Sequence, residues 1–430
     1  MIQKKLTLAV FVLLIATGSI AQDRNYAKKL IDSLASPLMF GRGYVNNGDS
    51  LAAAFIASQF ERNGLKSFGT DFYQPFRLSV NTFPARVGVK LNNVALMPGS
   101  DFSVSASSHA DHGVYPIRVM NRKMLDKSRR LQRFNSKDNS RHYVFFDFDM
   151  RAIQSRDTLR MIDSLVRNNV AGSRGAIFSR PAVSWHAWAK EMSDEPFTAI
   201  DVHRDQIPKK LRTIDLDIVN AWLPDYVTRN VIAWVPGKSE PDSFLVITAH
   251  YDHLGMMGQE TLFPGANDNA SGTAMLIDLA RHYSLPENHH DYSLAFMAFS
   301  GEETGLLGSK HYTENPFFPL ARIKFLVNLD MVGTGSDGLL VFNGTTDSVR
   351  LETMNFINDQ KKYLKELRVR GESRSSDHYY FYEKGVPAFF LLTMGSEHRH
   401  YHNIYDTREA VPLTKYNEVF RLITDFFDTF

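Results

Sequence analysis

The feature that most constrains this chain is the alternation of apolar runs with segments of helical periodicity from Asn230 to the C-terminus. Such alternation is typical of a sheet whose two faces are covered by helices, so it predicts a three-layer α/β/α fold. The predicted strands are 230–235, 244–249, 293–299, 323–329, 339–342 and 387–392. The predicted helices are 271–283, 305–313, 348–363, 377–384 and 413–427.

The sequence before Asn230 has a different texture. Apolar residues at helical spacing predict a helix over 49–63, and Gly64 follows it as a C-cap would. Farther on, strand-like runs at 142–148 and 175–178 flank a helical pattern at 157–167. We therefore expect an N-terminal helical part of the main domain over 22–82, an inserted small α/β module over 83–228, and the main sheet domain over 229–430.

The first residues are predicted to be a signal peptide, spanning 1–21. Lys4 and Lys5 precede the apolar stretch 6–20, and Ser19-Ile20-Ala21 fits a small-x-small cleavage site. The alternative is an N-terminal membrane anchor, although the stretch is short for a bilayer span. The sequence holds no cysteine, which excludes disulfides and attachment through a lipidated cysteine. We expect a secreted or periplasmic protein that is not inserted in the membrane after cleavage.

The charge balance argues against a polyanionic partner. Lys and Arg number 49 against 47 Asp and Glu, which leaves a net charge of +2 and no overall field for nucleic acid. The basic tract at 121–141 lacks interleaved stacking aromatics, so it is interpreted as a solvated face. No nucleic-acid partner is expected, and the oligomeric state is left open.

Polar residues follow the predicted strands at the places where ligands bind in open α/β sheets, beyond the strands' carboxyl ends. These are His250 and Asp252, Asp268, the adjacent Glu302 and Glu303, Asp330, and a histidine-rich segment at 397–407. Imidazole and carboxylate suit Zn²⁺, and a two-metal site needs one carboxylate shared between the ions. Asp268, in a Gly/Asn-rich turn, suits that bridge, and Asp252 is expected to accept the second imidazole N–H of His250.

Each of these residues has a plain structural interpretation when taken alone, as a satisfied strand-end pair, a solvated turn or a loop cap. The sequence stretches around these residues, in the order in which they occur, resemble those of a known family. The stretches HYDHLG, GANDNASG, AFSGEETGLLGS, NLDMVG, SDHYYF and YHNIYDT resemble the zinc aminopeptidase family. This family includes secreted bacterial leucyl-type aminopeptidases and glutamate carboxypeptidases, with transferrin receptors and glutaminyl cyclases as relatives. The resemblance covers about 230 to the C-terminus, and the module at 83–228 is similar to an inserted protease-associated domain.

The resemblance implies two Zn²⁺ ions and a role for each matched residue. One ion is expected on His250 and Asp330 and the other on Glu303 and His402, with Asp268 as the bridge. Glu302 is expected to be the general base that takes a proton from a water between the cations. A cis peptide bond is expected at Asp268–Asn269. Tyr401 is expected to stabilise the oxyanion, although a packed tyrosine is the alternative.

The resemblance implies an exported di-zinc exopeptidase acting on peptides, most simply an aminopeptidase. A glutaminyl cyclase-like acyltransferase and a carboxypeptidase remain open, the latter needing a basic pocket from residues such as Arg374, Arg399 or Arg408. A receptor-like module without activity is disfavoured, because no ligand position is lost. Asp377 and His378 are expected to be structural or supporting residues, and His253, His398 and His400 are expected to be spare imidazoles, at the surface or supporting the site rather than ligating metal.

Overall fold

The structure is a computed structural model that describes residues 24–125, 128–148, 153, 155–186, 192 and 195–430. The predicted signal peptide lies outside these residues. Within them, no helix combines the length and the apolar character needed to cross a bilayer. The predicted α/β fold class is confirmed by the two large sheets and the helices that pack on them.

The strands of the described chain are numbered in chain order. They are β1 (Tyr73–Thr82), β2 (Val87–Leu91), β3 (Val94–Leu96), β4 (Phe102–Val104), β5 (Asp111–Asn121), β6 (Tyr143–Asp147), β7 (Gly175–Arg180), β8 (Thr198–His203), β9 (Thr213–Ile218), β10 (Ala221–Val235), β11 (Glu240–His250), β12 (Gly255–Met257), β13 (Thr261–Phe263), β14 (Tyr292–Phe299), β15 (Ile323–Leu329), β16 (Gly338–Phe342), β17 (Leu367–Val369) and β18 (Ala388–Met394).

The α-helices are numbered in the same way. They are α1 (Arg24–Leu34), α2 (Gly48–Arg62), α3 (Arg122–Leu125), α4 (Ser128–Asn135), α5 (Arg156–Arg167), α6 (Gly272–Ser284), α7 (Leu307–Glu314), α8 (Ser348–Lys361), α9 (His378–Glu383) and α10 (Tyr416–Phe427). The helices and strands predicted after Asn230 all occur close to their predicted positions. The helix predicted at 49–63 corresponds to α2.

The main sheet has eight strands in the order β1-β10-β14-β11-β15-β18-β16-β17. At its centre, β14, β11, β15 and β18 run parallel, so their carboxyl ends lie at one edge. Successive residues on these strands enter two different apolar clusters, as Leu245 and Val246 do. Because side chains alternate across a strand, the two clusters lie on opposite faces of the sheet. Helices α6 and α10 cover one face, and α7 and α9 cover the other.

The chain leaves the main sheet through β1 and returns to it through β10, which pairs with β1 along its length. Strand β10 begins at Ala221 rather than at the predicted 230. The prediction missed its early part because these residues are exposed or half-buried and carry no continuous apolar run. Strand β1 lies in the part predicted to be helical. Its alternation of buried Phe76, Leu78 and Val80 with exposed residues is the period-2 signal that the prediction overlooked.

The second sheet takes its strands from the sequence between β1 and β10. Its order is β3-β2-β9-β5-β6-β7-β8-β4, with β5, β6, β7 and β8 parallel. The basic tract contributes the end of β5, together with α3 and α4. One apolar cluster of this sheet also contains Leu254, Met257 and Phe263, which follow β11 of the main sheet. The second sheet is thus packed against the loops at the carboxyl edge of the main sheet.

Candidate metal centre

The polar residues expected at the strand ends come together at the carboxyl edge of the main sheet. His250 is the last residue of β11, and Asp330 directly follows β15. After β14, Gly301 has a φ of 71°, a left-handed conformation that glycine adopts without a Cβ penalty, and the turn presents Glu302 and Glu303. His402 reaches the same place from the loop after β18, and Asp268 from the turn before α6.

Three of these residues form what we call the first donor triad, namely His250, Asp268 and Asp330. The Nε2 atom of His250 lies 3.3 Å from Oδ1 of Asp330 and 3.5 Å from Oδ1 of Asp268. All three side chains are buried. The histidine nitrogen thus lies close to both carboxylates in a largely buried part of the sheet edge.

The second donor triad consists of His402, Glu303 and Asp268. The Nε2 atom of His402 lies 3.2 Å from Oδ2 of Asp268 and 3.2 Å from Oε2 of Glu303. For tetrahedral zinc with bonds of about 2.0–2.1 Å to nitrogen and oxygen, neighbouring ligand atoms are separated by about 3.3 Å. The four histidine–carboxylate distances match that separation, and Asp268 offers one carboxylate oxygen to each triad. The residues present therefore fit two zinc ions with a carboxylate bridge.

Glu302 lies beside the first donor triad, where its carboxylate comes within 4.8 Å of donor atoms of His250 and Asp330. Burial raises the pKa of Glu302 well above its ordinary value. Burial would also raise the pKa of Glu303, but His402 and His253 together lower it well below its ordinary value. The pKa values of the two adjacent glutamates therefore shift in opposite directions. The two histidines favour the anion of Glu303, whereas burial favours the protonated form of Glu302.

The backbone of the loop that carries Asp268 is hydrogen-bonded to two buried side chains. The Asp268–Asn269 peptide bond is cis, as expected. Asp406 accepts the backbone N–H groups of Asn267 and Asp268 at 2.9 and 3.0 Å. The guanidinium of Arg42 is fully buried and donates to five backbone oxygens, those of Leu34, Tyr251, Pro264, Gly265 and Asp268. The backbone that carries the Asp268 carboxylate is thus held in place by both side chains.

The expected partner of His250 is corrected by the structure. Nδ1 of His250 lies 3.1 Å from the backbone oxygen of Asp252 and 3.8 Å from its carboxylate. The Asp252 carboxylate instead accepts the backbone N–H groups of Glu302 and Glu303 at 3.1 and 3.3 Å. Burial raises the pKa of Asp252 to about 7. Asp252 therefore orients the glutamate turn through these two hydrogen bonds.

Two of the histidines expected to be spare have clear partners. His253 is buried, and its Nδ1 lies 2.8 Å from Oε1 of Glu303. His398 is also buried, and its Nε2 lies 2.9 Å from Oδ1 of Asp406. His400 is half-buried, with its ring 5.2 Å from that of His398. His253 therefore contacts a residue of the second donor triad, and His398 contacts Asp406, which accepts from the backbone of the Asp268 loop.

Tyr401 and Ser376 complete the surroundings of the triads. The Tyr401 ring stacks on the His402 ring with centroids 3.8 Å apart, and 49% of the residue is exposed. Burial of the rest, followed by the Asp268 and Glu303 charges, raises the pKa of Tyr401, which keeps a proton on the phenol. Ser376 donates to Oδ2 of Asp330 at 2.8 Å and accepts from Asn328 at 2.8 Å. Ser376 thereby orients the Asp330 carboxylate.

Asp377 and His378 are both completely buried, in keeping with the expected structural role. Burial raises the pKa of Asp377 to about 7 and lowers that of His378 to about 4. The His378 ring packs against Phe390 of β18, with centroids 5.2 Å apart. His378 is therefore a neutral imidazole within the protein interior.

The buried imidazole of His378 makes stability depend on pH. The unfolded chain protonates this residue below about pH 6.5, but the folded chain does so only near pH 4. As the pH falls from 6.5 towards 4, the unfolded state binds more protons, so folding loses up to about 3 kcal/mol. In zinc-free protein, we expect the free energy of unfolding to fall less between pH 7 and pH 4.5 in His378→Phe than in the wild type. Urea unfolding at the two pH values measures this difference. Equal pH slopes for the two proteins would contradict the assignment.

Several supporting residues were not identified from the sequence. Arg42 lies in the stretch GRG and is more than 200 positions before the loop that it holds (Arg42 to Gly265, a separation of 223). Ser376 and Asp406 stand inside motifs that were recognised, SDHYYF and YHNIYDT, and their place in these motifs was the available signal. His253 is adjacent to Asp252 and could have been inferred in the same way. Arg42 had no such signal.

Comparisons with known proteins find similarity to peptidases. The model of peptidase family M28 matches residues 230–427. Among curated proteins, aminopeptidase YwaD of Bacillus subtilis is 31% identical over 217 residues, which cover 46% of this chain and 43% of that protein. Leupeptin-inactivating enzyme 1 of Streptomyces exfoliatus is 32% identical over 165 residues, or 38% of this chain and 35% of that protein. This chain thus spans less than half the length of these two relatives.

Solved structures show the same fold over nearly the whole chain. A peptidase M28 precursor from Shewanella amazonensis has a TM-score of 0.70 at 16% identity, covering 95% of this chain and 93% of that chain. A zinc aminopeptidase from Bacillus subtilis has a TM-score of 0.67 at 20% identity, covering 94% and 93%. All residues of the two donor triads lie within the segment that the family model matches. Residues 230–427 of this chain therefore resemble peptidase family M28, and the likeness over the rest of the chain is one of fold.

Proposed function

We propose that this protein is an exported di-zinc metallopeptidase that removes N-terminal residues from peptides. The observation that carries the proposal is the pair of donor triads joined by Asp268, whose atoms are spaced as zinc ligands are. His250 and Asp330 would hold one ion, and Glu303 and His402 the other. The names of the relatives, which include aminopeptidases and zinc metalloproteases, support zinc and peptide substrates.

The residues around the triads support a hydrolytic mechanism. Bound zinc would supply Lewis-acid polarisation of the scissile carbonyl and would lower the pKa of water. Glu302 would accept the proton of the attacking water and deliver it to the leaving amine, a role that its raised pKa suits. Tyr401 would donate its phenolic proton in a hydrogen bond to the oxygen on which negative charge develops. Asp252 would keep Glu302 and Glu303 in place through their backbone N–H groups.

An aminopeptidase is favoured over a carboxypeptidase by the relatives, which include proteins named aminopeptidases. Two of the arginines that a carboxypeptidase pocket could use make local contacts. Arg408 pairs with Glu409 at 2.8 Å, and the guanidinium of Arg374 lies 4.4 Å from the centre of the Tyr379 ring.

We also propose that residues 1–21 are a signal peptide and that 83–228 form an inserted, protease-associated-like module.

The proposal is tested by comparing substrates on zinc-loaded protein. We expect hydrolysis of aminoacyl-anilides and of peptides with a free N-terminus, together with loss of hydrolysis when that N-terminus is acetylated. Cleavage of blocked peptides from the carboxyl end would identify a carboxypeptidase instead. Cyclisation of N-terminal glutamine without peptide hydrolysis would identify an acyltransferase. Either result would refute the proposal.

A further inference from the structure

The second sheet sends one short segment to the candidate metal centre, and this segment is firmly anchored. Trp185 is buried in the apolar cluster that joins the second sheet to the loops after β11. Its ring lies 4.8 Å from that of Phe263, and its Nε1–H donates to the backbone oxygen of Val104 at 2.7 Å. The residue after Trp185 is therefore held in a defined place.

This segment contacts His402 through both backbone and side chain. The backbone N–H of Trp185 donates to the backbone oxygen of His402 at 2.8 Å. His402 has a φ of 52°, a left-handed conformation that is uncommon for a residue with a Cβ, so its backbone needs such support. The Nδ1 atoms of His186 and His402 lie 3.0 Å apart, and the two rings meet edge to face at 4.7 Å.

The direction of this hydrogen bond follows from the role of His402 in the second donor triad. Its Nε2 faces Asp268 and Glu303, so it must offer a lone pair to a metal ion there. The proton of a neutral imidazole then resides on Nδ1, which donates to Nδ1 of His186. A ligand imidazole whose other nitrogen donates a hydrogen bond has a fixed tautomer and a fixed ring orientation.

We propose that His186 is a positioning residue that orients His402 for zinc, so that the module at 83–228 completes the second donor triad. The inference rests on the proposed function, because it requires His402 to be a metal ligand. The inference gives the inserted module a direct chemical role. Among the described residues, the main domain places no hydrogen-bond acceptor at Nδ1 of His402, and the module supplies one. Zinc affinity at the second triad should therefore depend on residue 186.

The experiment compares zinc affinity of full-length variants by competition with a chelator. His186→Phe keeps an aromatic edge but removes the acceptor, and it should weaken the second zinc by about 10- to 100-fold while leaving the first unchanged. His186→Asn places an amide oxygen near the position of Nδ1 and should recover most of that affinity. His186→Gln places its oxygen farther along the side chain and should behave like His186→Phe. His112 also belongs to the second sheet but pairs with Asp217. His112→Phe is therefore the control, and it should leave zinc affinity unchanged.

The His186 side chain is exposed, so these variants should fold, and equal thermal unfolding of the zinc-free proteins checks this. Wild-type affinity for the second zinc in His186→Phe would overturn the inference. Equal losses in His186→Asn and His186→Phe would overturn it as well, because the acceptor would then be irrelevant. Both results leave the proposed function intact if wild-type protein binds two zinc ions. Failure of the wild type to bind a second ion would instead refute the proposed function.

Discussion

Replacing Glu302 with glutamine is expected to lower kcat by about 10²- to 10⁴-fold, the usual contribution of a general base. Glutamine has nearly the same shape but cannot accept the proton, so the donor triads should be undisturbed and zinc content should stay at the wild-type level. Loss of turnover with retained metal would distinguish proton transfer from ligation. The measurement is kcat on an aminoacyl-anilide, together with zinc content of the same preparation.

The adjacent residue provides the matched control for this experiment. Glu303 lies 3.2 Å from His402 within the second donor triad, so Glu303→Gln should lose zinc from that triad along with activity. An exposed glutamate, Glu409, pairs with Arg408 at the surface, and Glu409→Gln should change neither quantity. If Glu302→Gln keeps wild-type turnover, or loses zinc as Glu303→Gln does, the division of roles between the two glutamates is incorrect.

Replacing Arg42 with methionine is expected to lower the free energy of unfolding by about 3–5 kcal/mol, because buried polar partners would be left without their donors. Five backbone oxygens accept from this guanidinium, and two of them belong to Gly265 and Asp268 in the loop of the bridging carboxylate. Zinc affinity should fall as well, since Asp268 belongs to both triads. Urea unfolding of zinc-free protein measures the first effect, and chelator competition measures the second.

Arg42→Lys and Arg77→Met provide the comparison for this prediction. Lysine keeps the charge but lacks the planar fork of donors, so Arg42→Lys should recover only part of the stability that Arg42→Met loses. Arg77 is exposed and donates to a single backbone oxygen, that of Asp225, at 3.2 Å. Arg77→Met should change stability by no more than about 0.5 kcal/mol. If Arg42→Met unfolds like Arg77→Met, the buried guanidinium is not what holds the Asp268 loop.

The sequence was informative wherever a general rule connects local pattern to spatial position. Parallel strands with polar residues at their carboxyl ends predicted that His250, Glu303 and Asp330 converge, and the four central strands do run parallel. The turns that present Asp268 and Glu302 were recognisable from glycine and asparagine. These predictions needed only the register of each strand and the direction of the sheet.

The sequence was uninformative where the partner of a side chain is set by tertiary packing. Asp252 was expected to accept from the imidazole of His250, but its carboxylate accepts from the backbone N–H groups of the Glu302–Glu303 turn. Arg42 and His186 reach the site from the N-terminal helical region and from the second sheet, and nothing in their local sequence indicates those contacts. Long-range partners of this kind depend on how the two sheets pack, which residue pattern alone does not specify.

Anomalous diffraction at the zinc edge, from crystals of zinc-loaded protein, would show whether two metal ions share the Asp268 carboxylate. We expect two peaks separated by roughly 3.5–4 Å, one between His250 and Asp330 and one between His402 and Glu303, with Asp268 between them. A single peak, or a second peak that does not contact Asp268, would refute the shared site.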